Sequence, residues 1–166
     1  ISPLAGLSNL WDLDLRDNSI SDISVLKTLT ESKHYFMLIV TENYLNLTEG
    51  SETMRAIEAI RGNVDYFYYD EQKPLSETPF DARAKATGSR IELAWDYMPD
   101  TEYEVTRTAS GKTQTILSGG RATRLSDTVE PDTEYTYVVR AHIWQGNGAA
   151  PVTVEKMVTV KSGNAF

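Results

Sequence analysis

Apolar residues near the start of the chain recur at a fixed distance, and this recurrence limits the possible folds more than any other feature. The Ile, Leu and Leu at positions 1, 4 and 7 reappear at positions 23, 26 and 29, each 22 residues later. Leu13 and Leu15 are two residues apart, so on a short strand both side chains point to one side. Asn18 then follows, where its amide can bond the backbone of a sharp turn. The pattern predicts short strands stacked at a regular period.

A second recurrence extends the first. The segment Asp12–Ile20 is matched by Met37–Leu45 at a spacing of 25 residues, which places an insertion of three residues around positions 30 to 34. The full pattern, L-x-x-L-x-x-L-x-L-x-x-N-x-I, is that of a leucine-rich repeat. The runs Ile1–Leu7 and Asn43–Met54 resemble the C-terminal end of bacterial leucine-rich-repeat surface proteins of the internalin-like kind. This resemblance implies an α/β leucine-rich-repeat solenoid fragment over residues 1–73.

The end of this first half has a different pattern, which predicts a C-terminal cap. Residues 48–60 have helical spacing, with Thr48 or Ser51 as N-cap and Gly62 placed to end the helix. The aromatic run Asn63–Asp70 predicts a final strand. Repeat stacks need such a cap because their last unit otherwise exposes its leucines.

Two prolines among polar residues mark a boundary, and residues 74–79 are predicted to be a linker. Residues 80–166 then alternate in the manner of an all-β domain. The predicted strands are 83–87, 90–95, 102–107, 114–117, 124–129, 134–143 and 152–160. Seven short strands in about 80 residues favour a two-sheet sandwich.

The second half resembles a fibronectin type III domain. Trp95 occupies the place of that family's core tryptophan, and Pro131–Tyr137 matches the P-x-T-x-Y entry to its sixth strand. The resemblance implies an all-β, immunoglobulin-like sandwich that spaces or presents the repeats. The chain contains no Arg-Gly-Asp sequence, so integrin binding is not indicated.

Charge and composition argue against several kinds of partner and site. The net charge is −8, and the chain has no cysteine. The charge disfavours nucleic acid as a partner, and the absence of cysteine excludes disulfides and thiolate metal sites. No apolar run approaches the ~18 residues of a membrane span. The acidity lies in the first half, because residues 1–73 hold 12 acidic and 6 basic residues, against 12 and 10 in residues 74–166.

The outward residues of the predicted repeat strands form the candidate partner-binding site. An acidic edge beside an apolar, aromatic patch is typical of protein-binding surfaces. The alternative is that these are ordinary solvated strand positions. The face would carry Asp12, Asp14, Arg16, Met37, Ile39, Thr41, Asp65, Phe67 and Tyr69.

No catalytic residues, metal site or cofactor are predicted. Asp12 and Asp14 are closely spaced carboxylates, but no His or Lys accompanies them, and their spacing lacks the acceptors and glycine of a calcium loop. His34 and His142 have no second imidazole nearby in sequence. A non-enzymatic role is therefore expected.

The expected function is protein–protein binding or adhesion by a bacterial cell-surface or secreted protein, with a host surface protein as a possible ligand. The signal peptide and anchor are expected outside these residues. The alternative is a carbohydrate-contacting accessory module of a secreted polysaccharide-degrading enzyme, with Trp144 or Tyr97 stacking on a sugar. A stalk that binds nothing is a third possibility, and Ile1, Leu4 and Leu7 could support self-association at an open repeat edge.

Overall fold

The protein is described by a computed structural model, which covers residues 10–32, 35–146 and 148–164. The chain divides into two compact units. Unit 1 contains residues 1–78, 98–100 and 144–150, and unit 2 contains residues 79–97, 101–143 and 151–166. The sequence had placed residues 98–100 and 144–150 in the second domain.

Unit 1 is built from three short strands and two helices. The strands β1 (Asp12–Asp14), β2 (Tyr35–Ile39) and β3 (Val64–Tyr68) form one parallel sheet in the order β1-β2-β3. The helices are α1 (Ser24–Ser32) and α2 (Glu52–Arg61). Leu38, Val40, Ile57 and Ile60 are almost fully buried in its core.

The predicted leucine-rich-repeat solenoid with a C-terminal cap is wrong. The described residues hold two short α-helices, one 3-10 helix (Leu75–Glu77) and mostly β-structure, without a solenoid. The spacing between strands is not constant, because Leu13 pairs with Leu38, 25 residues later, and Leu38 with Phe67, 29 residues later. The physical reason is that leucines at alternate positions report only that one side of a short strand is buried, which a single small sheet satisfies as well as a repeating stack. Ile1, Leu4 and Leu7, on which the shorter period and the self-association depended, lie outside the described residues, as does His34.

The helices differ from expectation in their bounds. Helix α1 occupies a segment for which no helix was predicted. Helix α2 begins after the N-cap Ser51, whose side chain accepts a hydrogen bond from Met54 N at 3.0 Å, so the cap is Ser51 and not Thr48. Gly62 follows the last helical residue but keeps a right-handed conformation, with φ −70°. No helix in the described part of the chain is long and apolar enough to cross a membrane.

Unit 2 is a two-sheet β-sandwich, as predicted. One sheet has the order β4-β5-β8 and the other the order β10-β9-β6-β7, all antiparallel. The strands are β4 (Ala82–Thr87), β5 (Arg90–Trp95), β6 (Thr101–Ala109), β7 (Lys112–Ser118), β8 (Arg124–Thr128), β9 (Glu134–Ile143) and β10 (Val152–Lys161). This three-plus-four arrangement is a fibronectin type III or immunoglobulin-like sandwich.

The core of unit 2 consists of the inward residues of both sheets. Trp95 is 4% exposed and its ring lies 5.8 Å from that of Tyr103. Tyr135 is buried, and its hydroxyl accepts a hydrogen bond from Glu130 N at 3.1 Å, bracing the corner before β9. Alternation along β9 buries every second residue from Tyr135 to Ile143.

Candidate functional site

The candidate site lies on the sheet of unit 1, and strand register decides which residues share a face. Asp12 pairs with Met37, which pairs with Tyr66. In the other row, Asp14 pairs with Ile39, which pairs with Tyr68. Register partners leave a sheet on the same side. We call the surface formed by these six residues the outer sheet face.

The intervening row points to the core. Leu13 and Leu38 are buried, and their partner Phe67 is half-buried and packs against the core cluster. Tyr69 also packs against that cluster. Phe67 and Tyr69 therefore do not lie on the outer sheet face, where the sequence had placed them. Tyr66 and Tyr68 take their places, because the third strand is shifted by one residue from the assumed register.

The remaining predicted residues lie around this face. Arg16 follows β1 and donates from Nε and Nη2 to the Asp14 carboxylate, at 2.9 Å and 2.7 Å to Oδ2. Thr41 follows β2, and its carbonyl accepts from Asp17 N at 3.1 Å. Asp65 is exposed on β3, directly before Tyr66, and is not one of the register partners that form the face. The structure thus brings together Asp12, Asp14, Met37 and Ile39, with Arg16 bound to Asp14.

The outer sheet face exposes large aromatic side chains. Tyr66 is 51% exposed and Tyr68 49%. Phe36, exposed on β2, packs edge-on against Tyr66 with ring centroids 5.2 Å apart. Met37 is half-buried and Ile39 is buried, so they form the floor between the tyrosines and the carboxylates. The result is an apolar surface with an acidic side.

The two carboxylates differ in their surroundings. The hydrogen bonds from Arg16 lower the pKa of Asp14, because they stabilise its charged form. Asp12 is exposed and makes no ion pair among the described residues. Asp14 is therefore paired with a cation, whereas the Asp12 carboxyl group has no ion pair among the described residues.

The residues considered for sugar stacking have defined contacts within their own units. In unit 1, the side chain of Trp144 is 39% exposed. The backbone N–H of Trp144 donates to Asp100 O at 2.8 Å, and its backbone carbonyl accepts from Asn46 Nδ2 at 2.8 Å. In unit 2, Tyr97 is 46% exposed and its hydroxyl accepts from Arg121 Nη2 at 2.9 Å.

Sequence reasoning missed the exposed tyrosines and the half-buried amide of Gln72. Gln72 lies after β3, and its Nε2 donates to Tyr69 O at 2.7 Å and to Val40 O at 2.9 Å. Its Oε1 accepts from Asn43 N at 3.0 Å. The signal was present, since Gln72 lies 29 residues after Asn43, the same spacing that separates the partners of β2 and β3.

The comparisons with known proteins add no family. No family model matches the chain, and no curated protein matches it. Among solved structures, a β-1,2-glucanase from Parabacteroides distasonis is 20% identical, with a TM-score of 0.38, over 54% of this chain and 13% of that enzyme. The FN1–FN3 domains of chicken CNTN1 are 20% identical, with a TM-score of 0.36, over 55% of this chain and 33% of that structure. TM-scores this low carry no argument about function.

Proposed function

We propose that the chain is a non-enzymatic protein-binding module of a bacterial cell-surface or secreted protein, and that the outer sheet face is its binding surface. The observation that carries the proposal is the exposure of Tyr66 and Tyr68 around Met37 and Ile39. Clustered aromatic residues and methionine are enriched in protein interfaces because they bury much area at little cost in side-chain entropy.

The chemistry of the partner follows from the face. An apolar centre would cover Met37 and the tyrosine rings, and a basic group would meet the unpaired carboxylate of Asp12. The excess of acidic residues in residues 1–73, 12 against 6 basic, favours a basic partner over an acidic one. The lowered pKa of Asp14 makes it a weaker base, because the hydrogen bonds from Arg16 compete with proton uptake.

The test is a binding screen of the chain against arrays of secreted and cell-surface proteins. A protein ligand should bind the unaltered chain and lose at least tenfold in affinity with the double variant Tyr66→Ser/Tyr68→Ser, since losing two buried aromatic contacts costs more than ~1.4 kcal/mol. Met157→Ser is the matched control, because Met157 is 63% exposed on β10 of unit 2. Ligands that bind the double variant as well as the unaltered chain would refute the proposal.

Carbohydrate contact is the second candidate, and one observation favours it. Trp144 has both backbone groups held by hydrogen bonds and its ring partly exposed, as a sugar-stacking residue requires. A glycan array probed in parallel distinguishes the two functions. A neutral glycan ligand lost with Trp144→Ala and retained with Tyr66→Ser/Tyr68→Ser would favour this candidate over protein binding.

A further inference from the structure

A basic depression lies on the outer side of the sheet β4-β5-β8 in unit 2. Its volume is about 340 Å³. It is lined by Arg83, Ala84, Lys85, Glu92, Leu93, Ala94 and Arg124. Three of the four charged residues are cations, although the chain as a whole has a net charge of −8. The depression therefore concentrates positive charge that the rest of the molecule lacks.

Strand register explains the shape of the depression. Arg83, Ala94 and Arg124 are register partners across the three strands, so two long side chains flank one methyl group. The backbones of the two arginines are separated by two strand spacings, roughly 10 Å. Both guanidinium groups can reach a ligand held above Ala94. Two forks at this separation suit a carboxylate, which accepts paired hydrogen bonds from arginine.

The cations of the depression form no direct ion pair among the described residues, although Arg83 lies near enough to Asp81 to help lower the pKa of that carboxyl group. Arg83, Lys85 and Arg124 are exposed and form no ion pair in the described parts of the chain. The other arginines of unit 2 contrast with them: Arg107 pairs with Asp127 and Arg140 with Glu104. Two exposed guanidinium groups without a direct ion pair among the described residues favour an external anion.

Glu92 restricts the class of ligand. It pairs with Arg90 and accepts from Ser126 Oγ at 3.1 Å, both through Oε1. Its Oε2 accepts no hydrogen bond from the described residues. An acidic peptide would bring several carboxylates close to this anion, which repels them. A sugar acid offers a carboxylate to the arginines and hydroxyl groups to Oε2.

We propose that this depression binds an acidic saccharide of the uronate type, with Arg83 and Arg124 holding the carboxylate and Glu92 Oε2 accepting a sugar hydroxyl. The apolar floor formed by Ala94 contacts the C–H face of the ring. The site is separate from the outer sheet face and does not depend on protein binding there.

Isothermal titration of the full chain with trigalacturonate tests the proposal. Arg83→Gln and Arg124→Gln should each weaken binding about tenfold or more, because each removes a charge-assisted hydrogen bond. Ala94→Leu should abolish binding by filling the depression. Lys112→Gln, on β7 of the other sheet, is the matched control and should leave affinity unchanged. Neutral galactotriose should bind at least tenfold more weakly than trigalacturonate.

Glu92→Gln separates saccharide from peptide recognition. The variant should bind trigalacturonate more weakly, because an amide oxygen is a poorer acceptor than a carboxylate. It should bind poly-L-glutamate more tightly, because a repulsive charge is removed. No binding of trigalacturonate to the unaltered chain would overturn the proposal. So would binding unaffected by the arginine variants, or poly-L-glutamate bound as tightly as the uronate.

Discussion

At the scale of single residues, Trp95 is the clearest test of the sandwich core. It is 4% exposed, and its Nε1 has no acceptor among the described residues, so its contribution comes from packing. We expect Trp95→Ala to lower the free energy of unfolding by ~3–5 kcal/mol. Trp95→Phe should cost clearly less, because no hydrogen bond is lost. Hydrogen exchange of unit 2 amides in urea measures both variants.

The control for that experiment is Met157→Ala, which removes an exposed side chain from the same unit and should change stability by less than ~0.5 kcal/mol. If Trp95→Ala lowered the free energy of unfolding as little as Met157→Ala, the assignment of Trp95 to the core would be refuted.

Tyr137 should make the sandwich sensitive to high pH. Burial raises the pKa of its phenol above the ordinary 10.0, and the hydrogen bond from its hydroxyl to Asp127 Oδ2 at 2.8 Å acts in the same direction. The stability from this group is complete below pH 10.0 and falls above it, because the unfolded chain then loses a proton that the folded chain keeps.

The measurement is urea unfolding between pH 8 and pH 11. Above its ordinary pKa, Tyr137 should contribute a loss of about 1 kcal/mol per pH unit, which Tyr137→Phe removes. Parallel stability curves for the two proteins would contradict the argument. Any difference between them below pH 9 reports only the lost hydrogen bond.

Some residues of the candidate site were placed on the correct side of their strand from the sequence, and others were not. Asp12, Asp14, Met37 and Ile39 were predicted together, because Leu13 and Leu38 fix the side of their strands that is buried. Phe67 and Tyr69 were assigned to the wrong side. Their strand is aromatic on both faces, so hydrophobicity alone does not tell which tyrosine or phenylalanine faces the core, and a shift of one residue exchanges the faces.

At the scale of elements, the turns of unit 1 depend on a buried amide. Asn43 is fully buried; its Nδ2 donates to Leu15 O at 2.8 Å and Val40 O at 3.1 Å, and its Oδ1 accepts from Ile20 N at 3.0 Å. We expect Asn43→Ala to destabilise unit 1 by about 3 kcal/mol, because these backbone groups would lose their partners. Hydrogen exchange of β1 and β2 amides measures the effect.

Asn18 provides the matched comparison. Its Nδ2 also donates to two carbonyls, of Leu15 and Arg16, both at 3.0 Å, but the side chain is exposed, so water can replace it. Asn18→Ala should cost less than ~1 kcal/mol. Equal effects of the two substitutions would show that burial of Asn43 does not govern its contribution.

Elements were predictable to different degrees for physical reasons. The strands 90–95 and 134–143 have the predicted bounds, because strict alternation of buried and exposed residues has no helical equivalent. Helix α1 was missed because Ile23, Leu26 and Leu29 were interpreted as one part of a repeat, although their spacing of three is also that of a helix face. The solenoid prediction was wrong because it required the local pattern of apolar residues to continue at one constant period.

At the scale of the whole molecule, charge is divided between the two proposed sites. The outer sheet face carries a free carboxylate in the more acidic half of the chain, and the depression of unit 2 carries three unpaired cations. Ligands of opposite charge are therefore expected at the two places. High salt should strongly weaken binding of the uronate, whose contacts are charged. It should weaken binding of the protein ligand less, because the main contacts of that ligand are apolar.

NMR mapping shows directly whether the outer sheet face binds a protein ligand. The chain of 18.6 kDa, labelled with ¹⁵N, is titrated with a protein ligand from the array, and the shifted amides are located. We expect the largest shifts on Met37, Ile39, Tyr66 and Tyr68, whose side chains a bound ligand would contact. Shifts confined to the segment around Trp144, or to unit 2, would contradict it.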